Sequence, residues 1–131
     1  MANPIDTVAQ LVQAINRGDL AAAVALYEAN ATLVVRPGQL ARGAAEIRDA
    51  LAGFVALKAT LRSEAERVLD ADNIALYVGR WNLRGTDPAG QPVVMSGEST
   101  DVLRRQRDGR WLVVLDNPWG AEILGSPEHA A

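Results

Sequence analysis

Apolar residues recur with a helical period through the first third of the chain and with a strand period thereafter. Ile5, Val8, Val12 and Ile15 fall on one face of an amphipathic helix that Gly18 ends. Asp19 can cap a second helix carrying Leu20, Val24 and Tyr27 along its buried stripe, with Asn30 suited to the left-handed closing position. Ala31 to Val35 is a short β-branched run stopped by Pro37-Gly38. A third helix follows Gly43, with Ala44, Ile47, Leu51 and Phe54 on its apolar face.

From Thr60 the period shortens and turn residues arrive regularly. Strands are predicted over 60–69, 74–84, 92–105 and 110–116, separated by Asp70-Ala71-Asp72-Asn73, Asp87-Pro88-Ala89-Gly90 and Asp108-Gly109. Asp108-Gly109 is a two-residue signal of the type I′ hairpin. Residues 121–131 read as a loose tail. This order predicts one α+β domain over 1–131, its core about 5–120, with three N-terminal helices packed on a strongly curved, mainly antiparallel sheet. Two strands are apolar on both faces: Trp111, Val113 and Leu115 alternate with Leu112 and Val114, and Ile74, Leu76 and Val78 with Ala75, Tyr77, Trp81 and Leu83. One face packs on the helices; a second copy of the chain covering the other makes a homodimer the expectation.

Composition narrows the chemistry. With no cysteine there is no disulfide, thiol nucleophile or thiolate metal site. A formal charge of -3 argues against a nucleic-acid partner, and no run of 18 apolar residues supplies a membrane span. The N-terminus lacks the basic and apolar regions of a signal peptide, so a cytoplasmic protein is expected. The one histidine, His129, sits in the Gly/Ser/Pro/Ala tail, which speaks against a His–Asp dyad, a Ser–His–Asp triad and a multi-histidine metal site. Asp70 to Asn73 lacks the glycine and glutamate of a calcium loop, and no phosphate-binding or dinucleotide glycine motif occurs. No cofactor and no metal are expected.

Asp116 is the leading candidate for chemistry. It ends the last strand, on the face of Leu112 and Val114, where desolvation would raise its pKa and fit it for proton abstraction or hydrogen-bond donation. The competing reading makes Asp116 and Asn117 formers of the turn through Pro118 to Gly120. Tyr27 is either a donor to a substrate carbonyl or a core residue. Arg80, in phase with Ile74, Leu76 and Val78 and followed by Asn82, needs a partner: Asp116, Glu98 or Asp101. Trp81, Trp119, Phe54 and Met95 could line a pocket for a flat apolar ligand or be plain core.

Asn16-Arg17-Gly18-Asp19, Leu26-Tyr27 with 31–35, Gly43 with Ile47, Arg80-Trp81, Gly85-Thr86-Asp87 with Gly90, and the run from Asp108 to Gly120 together resemble the nuclear transport factor 2-like superfamily over about residues 5–121. That superfamily includes ketosteroid isomerases, polyketide cyclases, scytalone dehydratase and limonene epoxide hydrolase. The resemblance implies a cone-shaped fold around an apolar pocket, usually in a homodimer, with a pocket acid on a C-terminal strand. The isomerases also carry a base aspartate near the first strand, where Val34 to Gln39 here offers no carboxylate, and the dehydratases use pocket histidines. The hydrolases activate water with an Asp–Arg–Asp set. Two functions compete. One is a cofactor-independent isomerase, cyclase, dehydratase or epoxide hydrolase acting on a small hydrophobic molecule, with Asp116 as general acid/base and Tyr27 or Arg80 orienting. The other is a non-catalytic dimeric binding module.

Overall fold

The computed structural model describes residues 3–125. Its elements are α1 (Pro4–Asn16), α2 (Leu20–Val24), β1 (Tyr27–Arg36), β2 (Gln39–Arg42), α3 (Gly43–Val55), β3 (Thr60–Ala71), β4 (Ile74–Thr86), β5 (Pro92–Arg105), β6 (Trp111–Asp116) and a 3-10 turn (Gly120–Leu124). The strands form one sheet in the order β2-β1-β6-β5-β4-β3. Every pairing is antiparallel except the parallel junction of β1 with β6.

Local chemistry starts the first two helices. Asn3 Oδ1 accepts the Asp6 N–H at 2.9 Å and Pro4 opens α1, so orphan donors of the first turn are met. The buried stripe of α1 is Val8, Leu11, Ala14 and Ile15; Ile5 is 39% exposed, at the helix's outer end. Asp19 caps α2 by accepting the Ala22 N–H at 3.0 Å.

The second helix stops at Val24, a turn short of the expected end. The Leu26 carbonyl accepts the Val113 N–H at 2.9 Å, so pairing with β6 draws the chain out of the helix. Tyr27 and Asn30 therefore belong to β1 and not to a helical stripe and its cap. The last hairpin also differs from expectation. Gly109 has φ +89° while Asp108 keeps a negative φ, so the loop is a Gln106–Gly109 turn and not type I′, which needs positive φ at both central residues. Part of the expected tail is the 3-10 turn; its remainder, with His129, lies outside the described residues.

The helices pack on one face of the sheet. Ala75, Tyr77 and Leu83 of β4, Ser99, Asp101 and Leu103 of β5, and Trp111 and Val113 of β6 point toward Val8, Leu11, Ile47 and Leu51. The opposite face carries a row directly in register across four strands, Leu69, Leu76, Val102 and Leu115, of which Leu69 is 67% and Leu115 42% exposed. No helix among the described residues is long and apolar enough to cross a membrane.

One irregularity places the acid of the last strand. Leu103 pairs with Val113 but Val102 pairs with Leu115, so two steps on β6 oppose one on β5 and Val114 is the extra residue of a bulge. Side chains alternate faces along a strand, and one inserted residue inverts everything beyond it. Regular alternation from Val113 would turn Leu115 inward and Asp116 outward. The bulge does the reverse: Leu115 joins the outer row, and Asp116 turns inward beside Asp101, with Trp111 and Val113. Asp116 does not share the face of Leu112 and Val114.

Candidate functional site

Asp116 and Asp101 are cross-strand neighbours on the inner face, 9% and 6% exposed. Both line a cavity of about 100 Å³ whose walls are otherwise mostly apolar, among them Val12, Leu33, Phe54, Trp81 and Leu83. The polar exceptions besides the acids are Ser63, Tyr77 and Ser99.

The two carboxyls are hydrogen-bonded to each other, and each has one further donor. Tyr27 Oη donates to Asp116 Oδ2 at 2.5 Å, and the Asn117 N–H donates to Asp101 Oδ1 at 2.8 Å. Burial raises the pKa of Asp116, opposed by the hydrogen bonds from Tyr27 and Asp101. Burial pushes Asp101 well above the usual carboxylate range, and the neighbouring Asp116 charge and the hydrogen bond to it push the same way. Two like charges this close and this dry cannot both ionise. One proton is therefore held between the two carboxyls, with Tyr27 donating to Asp116 and the Asn117 N–H to Asp101. The pair titrates as a unit. Burial, then the Asp116 charge, raises the Tyr27 phenol well above its ordinary value, so it stays a donor.

Asn117 rather than Asp116 forms the turn. Its side chain donates to Thr100 Oγ1 and the Gly120 carbonyl, both at 3.1 Å, and accepts the Trp119 N–H at 3.3 Å. Pro118 then presents its carbonyl to Trp81 Nε1 at 2.7 Å. Gly97 makes room for this: a Cβ there would lie 2.8 Å from that carbonyl oxygen and 2.9 Å from the Trp81 ring. Trp119 stacks edge-on against Trp81, ring centroids 5.4 Å apart, and donates to the Val35 carbonyl at 3.0 Å.

The structure thus brings Asp116, Tyr27 and Asn117 together around Asp101, with Phe54 and Trp81 in the cavity wall. Tyr27 reaches Asp116 from the β1 side but does not itself line the cavity. Met95 and Trp119 line a separate cleft. Arg80 and Asn82 lie on the outer face. Arg80 pairs with Glu98, its cross-strand partner, at 3.1 Å, and Asn82 donates to Glu64, so neither meets Asp116. Arg80 is in phase with Ile74, Leu76 and Val78, as the alternation predicts, but those side chains face away from the helices.

Asp101 is the residue that sequence reasoning passed over, taking it only as a possible partner for Arg80. The available signal was its inward phase with Ser99 and Leu103; its partnership with Asp116 depends on a bulge that no residue pattern announces. Among the described residues no three potential metal ligands cluster.

A family model described as the SnoaL-like domain matches residues 8–114. Several solved structures share the fold. One is a candidate ketosteroid isomerase from Shewanella frigidimarina, 21% identical, with TM-score 0.74 over 85% of this chain and 90% of that one. Another is a nuclear transport factor 2-like superfamily protein from Salmonella enterica, 17% identical, with TM-score 0.77 over 86% and 84%. A third, from Novosphingobium aromaticivorans, is described as having a cystatin-like fold; it is 18% identical, with TM-score 0.72 over 85% and 75%. No curated protein matches the chain in sequence. The inward-facing helices, the bent sheet and the extent of the family match agree: this chain, which has the nuclear transport factor 2-like fold, belongs to the SnoaL-like domain family.

Proposed function

We propose that this protein is a cofactor-independent acid/base enzyme acting on a small, largely apolar carbonyl compound. The observation that carries the reading is a pair of carboxyls sharing one proton on the wall of an apolar cavity, backed by a buried tyrosine. Such a pair offers a base and an acid side by side. Asp116 takes a proton from the carbon next to the carbonyl, and Asp101 gives its proton to the carbonyl oxygen, leaving an enol. The reverse transfers, at the same or another carbon, return the pair to its starting state. Exclusion of water strengthens both transfers, since the developing charges meet fixed partners in a low dielectric. Tyr27 acts through Asp116, stabilising its charged form.

The test is deuterium uptake from D2O at the α-carbons of 2-tetralone and cyclohexanone, followed by NMR. Wild-type protein is expected to exceed the buffer rate, Asp116→Asn to lose the excess, and Asp101→Asn to lose most of it. Exchange no faster than buffer for these ketones sinks the enolisation reading and leaves a binding module.

We also propose that the working form is a homodimer closed over the outer apolar row. Support comes from four side chains aligned in register on a face that no element among the described residues covers. Leu76→Lys should convert a dimer to a monomer by light scattering; a wild-type monomer at 100 μM (about 1.4 mg/ml) refutes it.

A further inference from the structure

A second concavity, of about 350 Å³, lies against the first. It is lined by Arg36 at the end of β1, by Ala50, Gly53 and Phe54 of α3, and by Met95 and Trp119 among others. Phe54 belongs to both walls, and the Trp81–Trp119 contact forms another part of the partition. This space is the size expected for a small-molecule site, whereas the acid cavity alone is not.

Three features give the cleft a chemistry. Apart from Arg36 its lining is apolar. Arg36 is exposed and, among the described residues, makes no ion pair, so its guanidinium is available at the cleft's rim. Gly53 is an exposed part of the cleft wall: a Cβ built there meets nothing within 4 Å and its backbone is ordinary helix, so a side chain can be added there without strain.

We propose that this cleft binds an amphipathic organic anion, its apolar body against Trp119, Met95 and Phe54 and its carboxylate or sulfonate on the Arg36 guanidinium. A planar guanidinium at the rim of an apolar slot suits a carboxylate in a two-pronged contact and leaves the flat body to the aromatic wall. As the anchor for the acid pair's substrate, the cleft implies an elongated aryl or alicyclic carboxylate whose reactive end reaches past Phe54. That extension rests on the acid/base reading above; the binding itself does not.

The experiment uses two fluorescent probes of similar shape, 8-anilinonaphthalene-1-sulfonate and the neutral N-phenyl-1-naphthylamine, titrated into the full chain. Wild-type protein binds both. Arg36→Gln weakens the sulfonate about fivefold, the scale of an exposed ion pair, and the neutral probe by less than twofold. Raising the salt to 0.5 M narrows that difference, as screening requires. Gly53→Leu, which adds a bulky side chain to the cleft wall, weakens both probes at least tenfold, and its circular dichroism and melting curve establish that it is folded. The proposal is overturned if the wild type binds neither probe, if Arg36→Gln treats both alike, or if folded Gly53→Leu binds normally. Asp116→Asn separates the two proposals: it removes one carboxyl of the acid pair and leaves probe binding within twofold. If it alone abolishes binding, the probe sits in the acid cavity and the cleft is not a site.

Discussion

Removing one oxygen atom, in Tyr27→Phe, tests the electrostatic account of the acid pair most directly. The ring stays, so packing in a residue 5% exposed is preserved and only the donor to Asp116 is lost. A hydrogen bond to a charged acceptor contributes about 1.5–3 kcal/mol, and one to a neutral acceptor about 1 kcal/mol. The penalty should therefore be about 2 kcal/mol where Asp116 is ionised and about 1 kcal/mol where it is protonated. For a chain of this size the larger figure corresponds to a Tm lowered by about 8 °C. The hydrogen bond from Tyr27 holds the Asp116 pKa down against burial, so its loss lets that pKa rise further. In turnover, the acidic limb of the pH–rate profile should move to higher pH. Urea unfolding at pH 3.5 and pH 8 supplies the measurement. An equal penalty at both pH values, or a penalty under 0.5 kcal/mol at pH 8, would refute the assignment of Asp116 as the charged member.

Other expectations follow from the same geometry. Both acids have raised pKa values in the folded state, so the native protein holds protons that the unfolded chain has released, and stability must fall as pH rises from the ordinary carboxyl range through the raised values. The slope reaches about 1.4 kcal/mol per pH unit for each proton so held. Asp101→Asn keeps a donor toward Asp116 while removing one titration; it should be more stable than wild type at pH 8 with a flatter pH profile, and a wild type that gains stability through neutral pH contradicts this. Deleting Val114 removes the extra residue, so regular alternation from Val113 should keep Leu115 outward and Asp116 inward, and Asp116-dependent exchange should survive together with the fold by circular dichroism; a folded variant that loses the exchange would show that the bulge does more than set the facing. Gly97→Ala should cost about 1–3 kcal/mol in urea unfolding, because the added methyl overlaps the Pro118 carbonyl and the Trp81 ring, and a neutral result would mean that both can move aside.

What the sequence determines here is whatever depends on neighbours along the chain. The helix start at Asp19, the turns at 70–73 and 87–90, and the strand periodicity from Thr60 onward are all local chemistry, and the structure follows them. The α+β class follows from their order. Tertiary pairing decided the rest, because it acts between residues far apart in the chain. The β6 ladder pulled Tyr27 out of a helix and set its hydroxyl on a carboxylate 89 residues away. Alternation placed Arg80 in phase with Ile74, Leu76 and Val78, but only the packing of the helices decided that this was the outer face. The strand alone predicts that Asp116 sits at the end of an apolar run; one extra residue against β5 decided that it faces inward, and that its partner is Asp101. A bulge is a property of two strands together, and a single strand's residues do not encode it.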